Sequence, residues 1–368
     1  MGRVAVVGLG NIGFRVLWEL NDLGYDVVGV DSSMDAVERA RSIGVEGRIG
    51  DVLSIDSLQR ILSDVDLAVT ALPGSIGYRA VRNVASLGID VVDVSFFPED
   101  PMGLVDIAER NSVRIIVDAG VAPGLSNMLV AMGVKKIQGR KAKILVGGIS
   151  KKPDPPLGLA STWSSEDLIE EYVRPARAIL DGRLVTLDPL GSNGGSIEFE
   201  GVGRLEYFPT DGLRSLLRTY GWMDELVEYT LRWPGHVEFM RNLKSLGFLD
   251  GHSIRVDSCI VAPRRFLAKS IERRYSDNED IVALMVVVER DGGRRVTYRM
   301  VVEASGEWSA MAIATGGFQT AVARLLLSGK VGRRGLIFPE YIGESESLTG
   351  MVIEYLASRG ITISESLL

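Results

Sequence analysis

The chain has 368 residues, a length that accommodates two domains, each large enough to bury its own core. Apolar residues make up 46% and charged residues 24%, the balance of a packed chain and not of a disordered one. A net charge of -7 argues against an electrostatic nucleic-acid footprint, one cysteine (Cys259) rules out an intramolecular disulfide, and with only His236 and His252 added no metal site is expected.

The first predicted element is a strand over Val4-Ala5-Val6-Val7, breaking into Gly8-Leu9-Gly10-Asn11-Ile12-Gly13. That spacing suits a dinucleotide: Gly8 permits the turn, Gly10 lets backbone approach a pyrophosphate, and Gly13 lets the next helix pack closely on the sheet. A helix starting near Asn11 and Ile12 aims free N–H groups and its positive dipole end at the phosphates. Ile12, Val16, Leu17, Leu20 and Leu23 follow at helical spacing and Gly24 ends the run. A second strand then closes on Asp31, placed to accept hydrogen bonds from ribose hydroxyls and to repel a 2′-phosphate. Ser32 and Ser33 follow where an arginine would favour NADP, so NAD is the expected cofactor.

Further strands are predicted over 45–49, 67–71, 89–94 and 113–117, alternating with helices. This is a Rossmann-type doubly wound parallel sheet, with ligands at the strands' C-terminal ends. Asp51 and Val52 fall where adenine should lie, and Leu72-Pro73-Gly74 and Ser95 pass beside the cofactor. Asp93 and Asp118 close two of these strands; either acid could simply cap a turn, but two near one nicotinamide are candidates for proton transfer. The stretch 118–127 is a turn rich in glycine, with Pro123, and it leads into a helix. Beyond residue 143 the pattern becomes strand-rich with longer loops, an inserted α+β mixed-sheet domain supplying substrate groups. Residues 281–289 and 296–303 read as a hairpin, and Thr315 opens a helix bringing backbone near the cofactor.

Several blocks go beyond periodicity. Asp118 to Leu129, Ala71-Leu72-Pro73-Gly74, Asp93-Val94-Ser95-Phe96, Gly147-Gly148, Trp163-Ser164, Asp167 to Tyr172, Arg174-Pro175-Ala176-Arg177, Asp211 to Ser215 and Leu231 to His236 together resemble the saccharopine-dehydrogenase-like reductases, in particular the L-lysine 6-dehydrogenase branch. The resemblance implies a nucleotide domain of residues 1–122 completed by about 325–368, with Ile361-Thr362-Ile363 returning to it. It assigns 123–324 to substrate binding and homodimerisation. The saccharopine-forming members carry an Asp before the proline and an Asp-His pair after it. Here those places hold Ala122 and Ser126-Asn127, which favours free lysine.

For a lysine substrate, an arginine fork suits the α-carboxylate; Arg174 and Arg214 are the candidates, with Arg232 third. Trp163 could wall the aliphatic stem or simply be core, and Glu170 with Glu171 could take an amino group or merely face solvent. His236, at a helix start, is a candidate proton shuttle beside Asp93 and Asp118. The expected activity is NAD-dependent oxidative deamination of L-lysine at the ε-carbon, giving a semialdehyde that cyclises and releasing ammonia. The alternatives are a saccharopine-type imine reductase and a non-catalytic NAD sensor. No leader precedes the first strand and no apolar run reaches about 18 residues, so a cytoplasmic protein with no membrane segment is expected.

Overall fold

The structure is a computed structural model, and it describes residues 2–160, 164–276 and 279–368; Trp163 therefore lies outside the described residues. The chain forms two compact units, one of Met1–Met132 with Ala312–Thr362, the other of Gly133–Met311 with Ile363–Leu368.

In chain order the first segment runs β1 (Val4–Val7), α1 (Asn11–Asp22), β2 (Val27–Asp31), α2 (Met34–Ser42), β3 (Glu46–Ile49), α3 (Ile55–Ile61), β4 (Leu67–Thr70), α4 (Gly74–Ser86), β5 (Asp90–Asp93), α5 (Val105–Arg110), β6 (Arg114–Ile116) and α6 (Leu125–Ile137). The middle holds β7 (Lys141–Ser150), α7 (Ser165–Val173), β8 (Ala176–Leu180), β9 (Arg183–Leu187), β10 (Gly195–Phe199), β11 (Gly203–Pro209), α8 (Leu216–Thr219), β12 (Glu225–Arg232), α9 (His236–Ser245), β13 (Ile254–Val256), β14 (Cys259–Val261), α10 (Pro263–Tyr275), β15 (Asp280–Glu289) and β16 (Arg295–Glu303). The chain ends with α11 (Ala310–Leu327), β17 (Gly335–Ile337), α12 (Glu340–Gly343), α13 (Glu346–Ser358) and β18 (Ser364–Leu367).

The first unit carries an all-parallel sheet in the order β17-β6-β5-β4-β1-β2-β3. Its central strands are apolar because both faces are covered; Val4, Ala5, Val6 and Val7 are all buried. The order reverses at β1 and β4, which places the topological switch point at the ends of these two strands. Helix α11 is long and apolar enough to cross a membrane, against the expectation that no run reaches that length, yet 83% of it is buried inside the protein. Its Gln319 side chain donates to the Thr70 and Val92 carbonyls, so α11 is tied to the parallel sheet.

The second unit is built on a mixed sheet, β10-β11-β12-β7-β15-β16-β18, with β8 joined to β12 and β9. β12 and β7 run parallel and the other pairs are antiparallel. The predicted hairpin is β15–β16. The C-terminal segment departs from expectation: after Thr362 the chain leaves the nucleotide unit and β18 pairs with β16. The α6 helix likewise carries the first unit to residue 132, beyond the expected 122, and α11 returns to it from 312 instead of about 325.

Candidate active site

The cofactor edge follows from the turn after β1. Helix α1 has Gly10 as its N-cap, with extended backbone and no capping side chain, so its first amides are not satisfied by a cap. A Cβ at Gly10 would meet no atom within 4 Å, leaving open space over the helix terminus where a pyrophosphate fits. Gly13 serves packing instead: a Cβ there would lie 1.8 Å from the Gly8 carbonyl oxygen. Across the switch point, a Cβ on Gly8 would meet the Ala71 carbonyl oxygen, so the turns after β1 and β4 nearly touch.

Asp31 ends β2 half-buried, and its two oxygens accept from Leu9 N at 2.7 Å and Ser33 N at 2.8 Å. It thus ties the glycine turn to the next loop and holds an anionic carboxylate at the strand's end. Ser32 and Asp51 are exposed, Leu72 is half-buried and Pro73 exposed, all open to a ligand to some degree. Val52 is not: it is buried within the apolar core of this unit, so its role is packing. Thr315, expected to open a helix, lies instead inside α11, buried, with its Cγ2 3.7 Å from a Cβ built on Gly120.

Asp93 is wholly buried at the end of β5. Its Oδ1 accepts from Thr70 Oγ1 at 2.6 Å and Ser95 Oγ at 2.8 Å, and its Oδ2 from Ser95 N at 3.0 Å. Burial, aided by the nearby negative charge of Asp118 and opposed by these hydrogen bonds, pushes its carboxyl up to about 7. Ser95 is therefore a partner of Asp93 as well as a neighbour of the cofactor turn, since its Oγ also accepts from Leu72 N at 3.4 Å. Asp118 is buried with φ 57°, and the Ala119 amide donates to the Asp93 carbonyl oxygen at 2.8 Å, which lashes the two acid-bearing strand ends together. After the cis Ala122–Pro123 bond, Asn127 Oδ1 accepts from Gly124 N and Ser126 Oγ, both at 3.1 Å.

The second unit brings together a different set. On β12, Glu228, Thr230 and Arg232 alternate with Val227, Tyr229 and Leu231, so they share one face. All three are buried. Arg232 pairs with Glu171, donates from Nε to Tyr172 OH at 3.4 Å and from Nη1 to the Leu231 carbonyl. His236, expected as a proton shuttle, is buried between Tyr172 OH on Nε2 at 2.8 Å and the Leu157 carbonyl on Nδ1 at 2.7 Å. The carbonyl can only accept, so Nδ1 carries the proton and Nε2 accepts from Tyr172. Burial and the Arg232 charge push the imidazole down to about 3, and with both nitrogens occupied His236 is a neutral structural link.

The other candidates scatter. Glu170 pairs with Arg264 at 2.9 Å rather than facing the Glu171 cluster. Arg174 is the C-cap of α7, and Arg214 sits half-buried at φ 51° in the turn before α8. Glu228 was not anticipated; its signal is the Glu-x-Thr-x-Arg alternation within a strand whose other face is apolar. No group of His, Cys, Asp and Glu among the described residues is arranged to hold a metal ion.

The glycine-turn edge on a doubly wound sheet, with a buried acid pair at neighbouring strand ends, defines the class of nicotinamide-dependent oxidoreductases. The model of the saccharopine dehydrogenase C-terminal domain matches residues 120–361, and that of the TrkA-N domain matches residues 4–92. The chain belongs to the saccharopine dehydrogenase-like family of oxidoreductases. It is 25% identical to alpha-aminoadipic semialdehyde synthase of Arabidopsis thaliana over 60% of this chain and 22% of that protein. It is 22% identical to the NADP(+), L-glutamate-forming saccharopine dehydrogenase of Saccharomyces cerevisiae over 63% of this chain and 55% of that one. The matched region thus spans between about a fifth and about half of these relatives' length. The apo structure of the L-Glu-forming saccharopine dehydrogenase from Saccharomyces cerevisiae shares the fold, with a TM-score of 0.82 over 100% of both chains at 17% identity.

Proposed function

We propose that this protein is a nicotinamide-dependent oxidoreductase of the saccharopine dehydrogenase type, acting at the C–N bond of a lysine-derived amino acid. The observation that carries the reading is the Asp93–Asp118 pair at the cofactor edge, with Asp93 held near 7 and so able to exchange a proton at neutral pH. An amine must lose its proton before its carbon can give up a hydride, and ionised Asp93 is the group to accept it. The Gly8–Gly13 turn would hold the pyrophosphate of a nicotinamide dinucleotide, whose nicotinamide ring would supply the hydride acceptor. Burial raises the basicity of Asp93 and the charge of Asp118 adds to it, while Thr70 and Ser95 orient its carboxylate.

We read the cofactor as NAD, although the yeast relative's name specifies NADP(+). Support comes from Asp31, whose carboxylate is fixed by two backbone amides at the end of β2. A second substrate reading, L-lysine oxidised at its ε-carbon, is favoured by Asn127, whose carbonyl oxygen is taken up inside the 124–127 turn. That leaves the turn less polar for the groups of a second amino acid. A homodimer through the second unit is also proposed; a monomeric mass by light scattering at micromolar concentration would overturn it.

The test is NADH formation by the purified protein with NAD and either saccharopine or L-lysine, assaying glutamate and ammonia in parallel. Saccharopine-dependent NADH with matching glutamate supports the first reading, and lysine-dependent NADH with matching ammonia the second. Tight NAD binding with turnover of neither refutes both.

A further inference from the structure

The polar face of β12 contains one unbalanced group. Glu171 has Arg232, and Asp211 has Arg177 at 2.8 Å, but Glu228, 4% exposed, has no cation among the described residues. Its Oε1 accepts only a long bond from Thr210 Oγ1 at 3.4 Å, and its Oε2 is buried without any hydrogen-bond partner. A buried carboxyl with an idle oxygen is costly, and the usual resolution is a partner of opposite charge. The carboxyl packs directly on the backbone at Gly212: a Cβ there would lie 1.7 Å from Oε1, so any larger residue would have to push the carboxyl aside. Residues 210–213, which cover the carboxyl, belong to no helix or strand.

We propose that Glu228, with Glu171 and Asp211 around it, is the subsite for a substrate's α-ammonium group, the cation that completes a set of three carboxylates and two guanidinium groups. The proposal rests on the reading of the substrate as an amino acid. In the ligand-free protein the carboxyl is pushed up to about 8 by burial and by the charges of Asp211 and Glu171, so it is mostly protonated at neutral pH. An arriving ammonium converts it to the carboxylate, and binding releases a proton. The groups facing Glu228 are Asp211, Glu171 and Thr210, with Arg232 and Arg177 held by the two acids. None of the other groups supplies the missing positive charge.

The experiment is calorimetric titration of the protein–NADH complex with L-lysine, saccharopine and 6-aminohexanoate, which lacks the α-amine, in buffers of different ionisation enthalpy. Wild type should favour L-lysine over 6-aminohexanoate, or bind saccharopine, with proton release near pH 7. Glu228→Gln matches the neutral acid in shape and should fold normally; it should weaken the α-amino ligand roughly 10- to 100-fold, as loss of a charge-assisted hydrogen bond does, and abolish the proton release. Gly212→Ala, which displaces the carboxyl without removing it, should do the same. Wild-type binding that Glu228→Gln leaves unchanged overturns the subsite alone. Absence of binding by either amino acid to wild type overturns the substrate reading with it.

Discussion

Asp31→Asn isolates the charge that should choose between the two nicotinamide cofactors. In the wild type, Oδ2 accepts from Leu9 N and Oδ1 from Ser33 N. An amide keeps only one acceptor oxygen, so one backbone amide loses its partner, at about 1 kcal/mol. That loss falls equally on both cofactors. The difference comes from charge: hydrogen bonds from the ribose to a carboxylate are worth about 1.5–3 kcal/mol, and they weaken when the acceptor is neutral. A 2′-phosphate about 4 Å from a carboxylate is repelled by ~4 kcal/mol per charge at an effective dielectric of ~20, and solvent at this half-buried position reduces that to about a third. Wild type should therefore bind NADH at least tenfold more tightly than NADPH, and Asp31→Asn should cut that ratio by about tenfold or more while weakening NADH. Fluorescence titration of each reduced cofactor at fixed ionic strength measures both ratios. Equal weakening with an unchanged ratio, or a wild type that binds NADPH as tightly as NADH, would refute the assignment.

Three other substitutions test the buried titrating groups. Asp93→Asn should lower kcat by about 10²–10⁴-fold, as removal of a general base does, and erase the rise of activity through pH 7; a variant that keeps that limb places the base elsewhere. The Glu228 carboxyl is raised in the folded state, so its stabilising contribution is complete below the ordinary glutamate range and is lost as pH climbs through about 8. Glu228→Gln should accordingly raise the melting temperature more at pH 8.5 than at pH 5, on the order of a few degrees, and a pH-independent shift would show that Glu228 is ionised throughout. His236 has the opposite sign: lowered to about 3, its contribution is present above the ordinary imidazole value and is lost as pH falls toward 3. His236→Gln should flatten the acid limb of the stability curve with little effect on the neutral pH–rate profile, whereas a vanished kinetic limb would restore it as a proton shuttle.

The first unit was legible because its signals are local. A glycine turn after an apolar strand, helical spacing from Ile12 to Leu23, and an acid closing β2 each lie within about 30 residues, and a parallel sheet buried on both faces leaves little freedom in how such pieces join. Val52 was misassigned because an apolar residue at a strand's C-terminal edge has the same sequence signature whether it faces adenine or core; α3 and its neighbours take it inside. The C-terminal strand was misassigned for another reason. Ser364–Leu367 is exposed and weakly patterned, and only its pairing with β16, some 65 residues away in sequence, decides which sheet receives it.

The second unit hides its chemistry more thoroughly, and β12 shows why. Read alone, Val227 to Arg232 alternates apolar and polar residues like a strand with one wet face. The fold instead covers the polar face: Tyr172 of α7 reaches Arg232 and His236, and the 210–213 segment seats Gly212 against Glu228. Burial reverses the meaning of each residue. His236, which free in water would titrate near neutrality, becomes fixed as a neutral donor to Leu157; Glu228, which would be an ordinary solvated acid, becomes the group that titrates near neutrality. Side-chain type alone therefore pointed to the wrong member of the pair. The exchange of roles has a physical cause, since desolvation disfavours charge on both, pushing a base out of the working pH range and drawing an acid into it.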